Sequence, residues 1–487
     1  MGADAYETII GLECHVELST RTKMFCGCPN EFGAPPNTNV CPICLGHPGS
    51  LPVPNEQAIE SIVKIGLALD CEIASHSLFH RKNYFYPDMP KNYQISQYDL
   101  PICVGGHLDV ELPDGSTRRV GITRVHMEED TGKTVHSGAT GRIAEADYAL
   151  VDYNRAGVPL VEVVSEPDLR SAGEAVAYLR ELRALLESLE VSDVRMEEGS
   201  LRCDANVSVR PTGSSALGTK IEVKNLNSLR SLERALGYEQ ERQIDALRRG
   251  EPLVQETRHW DEDTGVTTSL RSKEEAFDYR YFPEPDLPPL EPDGDWIERV
   301  RGTLPELPAQ RRSRYLGLGL TREQAGTLVA ERHLASLFET TVGLVDGVAP
   351  KVVANWIVQN LVAALNERGL HPAELDLSPE RLAEVITLVE DGTVSITAGK
   401  QVLEETLATG TAPEQIVQEK GLRQVSDVSA LEAWVGEVIA ENPDPVEQLR
   451  GGKEGVLGFL VGQVMKKSGG SANPKLVGDL LRDRLLG

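Results

Sequence analysis

The sequence predicts an α+β protein in which a sheet domain with flanking helices precedes an all-α domain and a small all-α tail. Three observations predict this order. Polar and apolar residues alternate through 202–210 and again through 220–224, which is the two-residue period of a half-buried strand. The proline-rich stretch 283–292 can form neither a helix nor a central strand. After it, helix-start signals replace the strand patterns.

The domain boundaries follow from these changes of pattern. The chain has 487 residues, which is too long for one compact core. We expect a sheet domain over residues 1–295, a helical domain over 296–410 and a helical tail domain over 411–487. Periodicity also predicts helices over 175–189 and 229–249. Predicted helix starts are capping boxes at Thr321 with Gln324 and Thr411 with Glu414, and an N-cap at Ser378 before Pro379.

Charge limits the possible partners. The 49 basic and 75 acidic residues leave a net charge of −26, which disfavours extensive coating of DNA or any other nucleic acid. The tail is the exception, because residues 453–484 carry more basic than acidic groups. A solvated helix surface explains this pattern, and so does contact with a polyanion. The start resembles no targeting peptide and the longest apolar stretch, 456–465, is too short to span a bilayer, so we expect a cytoplasmic protein without a membrane partner.

Four of the cysteines are closely spaced. Cys26 and Cys28 form a C-x-C pair, and Cys41 and Cys44 form a C-x-x-C pair in the loop 26–44. In a reducing compartment such pairs are typical of a tetrahedral zinc site rather than of disulfides. Four thiolates leave no open coordination position. We therefore expect a structural Zn²⁺ that takes no part in chemistry.

The first predicted strand has two different faces. Its segment 12–18 places Leu12, Cys14, Val16 and Leu18 on one face and Glu13, His15 and Glu17 on the other. A half-exposed strand with a polar outer face is the simplest interpretation.

Other acidic residues extend this pattern elsewhere in the chain. Glu129 ends an alternating run, Glu162 lies within an apolar run, and Asp204 lies on the polar side of its strand. A turn cap, an ion pair or a polar outer face could explain each one separately. The joint hypothesis is that they meet Glu13 and His15 on one sheet, where oxygen ligands and one imidazole suit Mg²⁺ or Mn²⁺ better than Zn²⁺.

Aromatic residues are concentrated in segments 81–88 and 91–98, although only 5% of the chain is aromatic. Interleaved cations and rings can stack on a base or a terminal adenosine, and a packed aromatic core is the alternative. A further aromatic segment, 278–283, is expected to pack at the domain boundary. Gly132-Lys133-Thr134 matches only the end of a phosphate-binding loop, since Met127 stands where its first glycine is required.

Taken together, long strings of this sequence resemble the GatB family, the B subunits of aspartyl/glutamyl-tRNA amidotransferases. The resemblance covers almost the whole chain and keeps the same order throughout. The strings are residues 10–17, 81–88, 126–130, 152–155, 164–168, 196–206, 224–228, 278–286 and 458–463.

The resemblance implies a cradle-shaped catalytic domain, a helical domain and a YqeY-like tail that contacts tRNA. It also implies an ATP-dependent carbon–nitrogen ligase that acts in translation. A glutaminase, the A subunit, would supply ammonia from glutamine, and a small C subunit would complete a heterotrimer. The B subunit would bind misacylated Glu-tRNA(Gln) or Asp-tRNA(Asn), phosphorylate the side-chain carboxylate with ATP and convert it to the amide.

By the same resemblance, His15, Glu129 and Glu162 are expected to bind one Mg²⁺, and Glu13 and Asp204 a second ion. Glu17 has no assigned role. Lys82, Tyr84 and Lys91 are expected to bind substrate, near the phosphates or the terminal adenosine of tRNA. ATP, Mg²⁺ and structural Zn²⁺ are the expected cofactors.

Two other functional classes stay open at this point. A self-sufficient metal-dependent hydrolase would act on a small ester or phosphate without tRNA. A non-catalytic, zinc-stabilised scaffold would bind tRNA without consuming ATP. The choice between Glu-tRNA and Asp-tRNA, the ammonia tunnel and the contacts to the ATP base are not predicted.

Overall fold

The computed structural model describes residues 6–137, 148–272, 276–424, 428–469 and 471–486. The chain divides into two compact units, residues 1–311 and 312–487. The boundaries expected at 295 and 410 stay predictions.

The first unit is built on a mixed sheet of thirteen strands within the described ranges, beside a separate two-stranded sheet. The strands are β1 (Tyr6–Glu17), β2 (Glu72–Ile73), β3 (His80–Asn83), β4 (Tyr93–Ser96), β5 (Cys103–Val104), β6 (His107–Glu111), β7 (Thr117–Glu129), β8 (Lys133–Ser137), β9 (Tyr148–Asp152), β10 (Pro159–Ser165), β11 (Leu201–Pro211), β12 (Ile221–Leu226), β13 (Glu256–Asp261), β14 (Val266–Ser272) and β15 (Phe282–Pro283). Its helices are α1 (Glu56–Ala68), α2 (Ala172–Ser188), α3 (Leu229–Arg248) and α4 (Gly294–Arg301), with a 3₁₀ turn at Ala276–Tyr279.

The order of the main sheet places β1 near its centre. The strands run β14-β13-β12-β11-β1-β10-β7-β4-β3-β15, with β5 and β6 also paired to β7 and β2 paired to β5. Strand β1 is antiparallel to both β10 and β11, and only β12 and β13 form a parallel pair among these neighbours. The proline-containing strand β15 lies at one edge, where a missing backbone donor costs little.

The apolar face of this sheet forms the main core. The four apolar residues predicted for β1, from Leu12 to Leu18, are at most 1% exposed. They share one hydrophobic cluster with side chains of α1, α2 and α3, including Ile62, Leu182 and Leu232. The three helices therefore cover one face of the sheet, and the polar row of β1 points to the other. The predicted alternation of β1 and β11 is confirmed.

Two predicted helices are also confirmed in type and position. They are α2 and α3, whose N-caps Ser171 and Ser228 accept hydrogen bonds from the backbone N–H of Glu174 and Ser231. These caps satisfy donors that the first helical turn leaves unpaired.

The second unit is helical within the described residues, and α5 spans the division between the units. The helices are α5 (Pro308–Gly317), α6 (Arg322–Val329), α7 (Arg332–Leu344), α8 (Pro350–Asn355), α9 (Val362–Arg368), α10 (Pro379–Glu390), α11 (Ile396–Thr409), α12 (Pro413–Lys420), α13 (Val428–Glu441), α14 (Pro443–Arg450), α15 (Val456–Lys467) and α16 (Pro474–Leu486). A π-helical turn, Trp356–Leu361, joins α8 to α9, and a 3₁₀ turn spans Pro372–Glu374. Their buried side chains form two hydrophobic cores, one from Tyr315 to Val417 and one from Leu431 to Leu485.

Two of the three predicted helix starts are confirmed. Thr321 and Gln324 form the complete capping box of α6, and Ser378 caps α10 before Pro379. The capping box at Thr411 is wrong, because α12 begins at Pro413 and its N-cap is Ala412. Proline is favoured at the first helical position, so the start moves past Thr411 and Glu414 falls one position too early for the box.

Across the described parts of the chain, each helix is too short or too polar to cross a membrane.

Candidate metal and substrate site

Strand β1 presents three polar side chains, Glu13, His15 and Glu17, on the sheet face opposite the helices. The register places Glu13 beside Asp204 of β11 and His15 beside Glu162 of β10. Cross-strand partners in an antiparallel pair point to the same face and lie close together. The sheet therefore brings residues that are far apart in sequence onto one surface.

His15 lies at the centre of a three-residue cluster. Its Nε2 is 3.6 Å from Oε2 of Glu162 and 3.9 Å from Oε1 of Glu128. One ligand atom from each of these residues lies within 4.8 Å of the others, a separation that one metal ion can bridge. Strand β7 also contributes His126, whose Nε2 is 3.2 Å from Oε2 of Glu162.

Glu129, which was expected to join His15 and Glu162, lies elsewhere in the structure, and Glu128 takes that place. Glu129 is the next residue along β7 and points to the other face of the strand. There it is 2% exposed, forms an ion pair with Lys91 and accepts a hydrogen bond of 2.9 Å from the Ile95 N–H. Its carboxylate is therefore engaged away from the cluster.

The cluster keeps Glu162 ionised. Burial alone would raise the pKa of Glu162, but the charges of His126 and His15 hold it well below its usual range. The charge of Lys82 acts in the same direction. Glu162 is therefore an anionic oxygen donor at neutral pH.

Glu13 and Asp204 lie next to each other but do not belong to a three-ligand group in the described ranges. Glu13 Oε1 accepts a hydrogen bond of 2.7 Å from Asn206 Nδ2. Asp204 Oδ2 lies 2.5 Å from the ammonium nitrogen of Lys224 on β12. The sequence places Lys224 on the polar side of its strand but assigns it no role. Its contact with Asp204 follows from the pairing of β11 with β12, which the sequence does not show.

Glu17, which had no predicted role, belongs to a second group of charges. Burial, and then the charge of Asp130, raise the pKa of Glu17 to about 8. Burial alone would also raise the pKa of Asp130, but Arg202 and Arg155 hold it below its usual value. Oδ2 of Asp130 lies 2.7 Å from Arg202 Nη2 and 3.5 Å from Arg155 Nε. Glu17 is therefore a proton donor to Asp130 rather than a metal ligand.

A cleft of about 420 Å³ is lined in part by Lys224, the ion-pair partner of Asp204. It is lined by two lysines, three tyrosines and three other side chains: Lys82, Lys224, Tyr84, Tyr86, Tyr279, Asp88, Thr257 and Leu270. The Lys82 ammonium lies 4.9 Å from the ring centre of Tyr279 and 6.0 Å from that of Tyr84. Cations and rings thus face the same space, as the aromatic segment predicts.

Two further expectations about the aromatic segments change. Lys91 lies outside this cleft, because its side chain is 7% exposed and paired with Glu129. The segment 278–283 packs on the first aromatic segments instead of only closing a domain boundary. Tyr281 stacks on Tyr98 with ring centres 4.2 Å apart, and Tyr279 lines the cleft.

The four closely spaced cysteines meet as predicted. One sulfur atom from each of Cys26, Cys28, Cys41 and Cys44 lies within 4.8 Å of the others. All eight cysteines are free thiols. The buried Lys23 ammonium lies 3.9 Å from Cys44 Sγ, and its other partner is the carbonyl of Tyr153 at 3.2 Å. A hydrogen bond from Cys26, with the charge of Lys23 adding to it, lowers the pKa of Cys44 to about 5, so this sulfur is anionic at neutral pH.

Comparison with protein families places these sites in a known context. A family model described as the GatB/GatE catalytic domain matches residues 8–298, and one described as the GatB domain matches residues 336–485. The chain belongs to the GatB family. The first GatB match contains the polar sheet face, the cleft and the cysteine loop, and the second contains residues of both helical cores.

Relatives within the GatB family extend over the full length. The chain is 57% identical to the B subunit of the aspartyl/glutamyl-tRNA(Asn/Gln) amidotransferase of Moorella thermoacetica, over 99% of this chain and 100% of the relative. The protein of the same name from Thermosynechococcus vestitus is 55% identical over 99% of this chain and 96% of the relative. That from Halorhodospira halophila is 54% identical over 99% of both chains.

Proposed function

We propose that this chain is the B subunit of a tRNA-dependent amidotransferase. It binds tRNA misacylated with Glu or Asp, transfers a phosphoryl group from ATP to the side-chain carboxylate and forms the amide with ammonia. Membership of the GatB family and full-length similarity to three amidotransferase B subunits support this function. The observation that carries it is the His15–Glu128–Glu162 cluster beside a cleft lined by lysines and tyrosines.

The donor set of this cluster fits Mg²⁺. It offers two carboxylates and one imidazole, and hard oxygen donors are what Mg²⁺ prefers. Since His126 above all holds Glu162 ionised, Glu162 can donate without first losing a proton, and His15 would bind the ion as the neutral imidazole. When bound, Mg²⁺ supplies neutralisation of the charge on the transferring phosphoryl group.

The chain's own residues account for binding and orientation. The Lys82 ammonium faces the cleft and can bind phosphate oxygens, while Tyr84 and Tyr279 offer rings on which an adenine can stack. A substrate carboxylate oxygen attacks the terminal phosphorus of ATP, which releases ADP and leaves an acyl phosphate. Ammonia then attacks the acyl carbon, and phosphate departs as the amide forms. Both steps depend on positioning and charge neutralisation more than on a protein nucleophile.

The proposed assembly has two further subunits and acts in the cytoplasm. A glutaminase supplies ammonia, and a small third protein chain completes the assembly. The cysteine cluster holds structural Zn²⁺, supported by four converging sulfurs and the lowered pKa of Cys44. The catalytic, helical and tail domains span 1–295, 296–410 and 411–487, and the tail contacts tRNA.

ATP consumption by the purified assembly, with and without misacylated tRNA, tests this function. We expect ATP hydrolysis and amide formation that require the misacylated tRNA. Glu128→Gln should lower both by at least about a hundredfold, because it removes a ligand of the ion. Glu60→Gln, on the surface of α1, is the matched control and should leave both unchanged.

The same measurement separates the other functional classes. Hydrolysis of a small ester or phosphate without tRNA would identify a self-sufficient hydrolase. Binding of tRNA without any ATP consumption would identify a scaffold. Full amidation by Glu128→Gln would contradict the metal assignment.

A further inference from the structure

We propose that the ammonium of Lys224 is the second cation of the site. The cleft then holds one divalent ion rather than two, and Lys224 binds an anionic oxygen of the substrate. This inference rests on the proposed function only where it identifies the substrate oxygen as a phosphate oxygen of ATP.

The ammonium stands where the sequence predicts the second ion. Lys224 Nζ lies 2.5 Å from Asp204 Oδ2 and 3.5 Å from Glu222 Oε1. Asp204 is paired with Glu13 in the register of β1 and β11, so both predicted ligands of the second ion are next to this lysine.

Charge holds the ammonium in place. Its Nζ lies within 4.0 Å of carboxylate oxygens of Asp204 and Glu222, and Glu13 is opposite Asp204 in the register of β1 and β11. A lysine ammonium is a cation at neutral pH, so Lys224 carries its charge among three carboxylates. Its side chain is 39% exposed, so it is held by these carboxylates and still reaches the cleft.

A second divalent ion does not fit this arrangement. An Mg²⁺ ligand oxygen lies about 2.1 Å from the ion, so an ion on Asp204 would lie close to the ammonium and be repelled by it. The oxygen of Glu13 that faces β11 already accepts the hydrogen bond from Asn206. By contrast, in the described part of the chain, His15, Glu128 and Glu162 have only one another and His126 as ion-pair partners within 4.0 Å.

The ammonium also lines the cleft. A lysine has three N–H donors; one is used in the hydrogen bond to Asp204, and Glu222 Oε1 lies 3.5 Å away. Lys224 and Lys82 both line the cleft, and Lys224 lies there beside Asp204. An anion in the cleft can therefore meet a lysine from each of two strands, β12 and β3.

Counting bound Mn²⁺ on the full chain by electron paramagnetic resonance tests the cation assignment without using activity. We expect one tight site in the parent protein, and its loss in His15→Ala. Lys224→Gln should gain a second site, since it frees Asp204, and the double variant Lys224→Gln with Asp204→Asn should return to one. Two tight sites in the parent protein, or no gain in Lys224→Gln, would overturn the proposal.

ATP affinity of the assembled enzyme tests the anion-binding role of Lys224. Lys224→Gln should weaken ATP binding by about tenfold or more, as expected for one lost charge-assisted hydrogen bond. Lys224→Arg should retain most of the affinity, and Lys64→Gln, a lysine paired with Glu60 on α1, should retain all of it. Equal affinity of Lys224→Gln and the parent would overturn the anion-binding role. Absence of ATP binding by the parent protein would instead contradict the proposed function, and the Mn²⁺ count would still decide the cation assignment.

Discussion

At the scale of single residues, the pair Glu17 and Asp130 links folding to pH. Burial and the charge of Asp130 raise the pKa of Glu17 from 4.5 to about 8, so its proton is retained in the folded protein at neutral pH. Between these two values the folded state binds more protons than the unfolded state. The stabilisation from this proton is therefore fully present below about pH 4.5 and is lost as the pH rises through about 8.

Glu17→Gln should remove this pH dependence. Glutamine keeps a donor for Asp130 and carries no charge, so the variant should match the parent near pH 4 and exceed its free energy of unfolding by about 4–5 kcal/mol near pH 9. Denaturant unfolding at the two pH values measures the difference. Glu60→Gln is the control for removing an exposed carboxylate. An identical loss of stability with pH in Glu17→Gln and the parent would show that Glu17 is not the group concerned.

Glu128 and Glu129 differ in role because neighbouring residues of a strand face opposite sides. The sequence contains both carboxylates, and the alternation of β7 separates them. Which of them faces His15 depends on the register of β7 against β10, where Leu160 is opposite Glu128. The sequence contains no information on that long-range register, so it could not show that Glu128 rather than Glu129 lies beside His15.

Glu129→Gln should act on stability, unlike Glu128→Gln. It would leave the buried Lys91 ammonium without its carboxylate, and breaking a buried ion pair in this way costs about 3–5 kcal/mol. Thermal unfolding should show a clearly lower midpoint for Glu129→Gln and a near-parental midpoint for Glu128→Gln. Mn²⁺ binding should show the reverse order. Equal effects of the two substitutions on both measurements would contradict the two roles.

At the scale of elements, local patterns predict the structure well and long-range pairing limits the prediction. The alternation of β1 and β11, the helices α2 and α3, and the caps at Thr321 and Ser378 depend on neighbouring residues, and all are confirmed. The cysteine cluster was also predicted from short spacing. The ion pairs of Lys91 with Glu129 and of Lys224 with Asp204 join residues 38 and 20 positions apart in the sequence, so local patterns could not predict them.

The helix caps offer a matched pair of substitutions. Thr321 accepts a hydrogen bond of 3.2 Å from the Gln324 N–H, whereas Thr411 lies before the N-cap of α12. Thr321→Ala should lower the free energy of unfolding by about 1 kcal/mol, and Thr411→Ala should change it by less than about 0.5 kcal/mol. Denaturant unfolding of the two variants provides the comparison. A larger loss for Thr411→Ala would contradict the observed start of α12.

At the scale of the whole molecule, the cysteine loop with the residues that follow it and strand β7 of the candidate site share one packed region. Gly46, two residues after Cys44, has φ +66°, and a side chain there would place its Cβ 2.4 Å from Cγ of Lys91. Lys91 in turn pairs with Glu129, the residue after Glu128. The loop backbone therefore supports the lysine that fixes the end of β7. A structural metal in the loop can thus affect the site without touching substrate.

The distribution of charge argues for a separate contribution of the tail to tRNA binding. The chain carries −26 overall, so an RNA backbone meets favourable charge only in local basic regions. Several tail cations already have protein partners, such as Lys467, which pairs with Glu437 and Glu441. Lys466 on α15 and Lys475 on α16 are exposed, and each can face a phosphate without disturbing the core from Leu431 to Leu485.

Replacing Lys466 and Lys475 together by glutamine should weaken tRNA binding and leave the ATP site intact. Without these phosphate contacts, fewer counterions are released when tRNA binds. The slope of log affinity against log salt concentration should therefore become shallower by about 1 per lysine. Binding of tRNA measured across a salt series, with ATP affinity measured in parallel, gives both quantities. Lys400→Gln, an exposed lysine of α11, is the control for a loss of charge elsewhere in the helical unit. An unchanged slope in the double variant would remove these two lysines from the tRNA contact, whereas a fall in ATP affinity would show that the substitutions act on more than the tail.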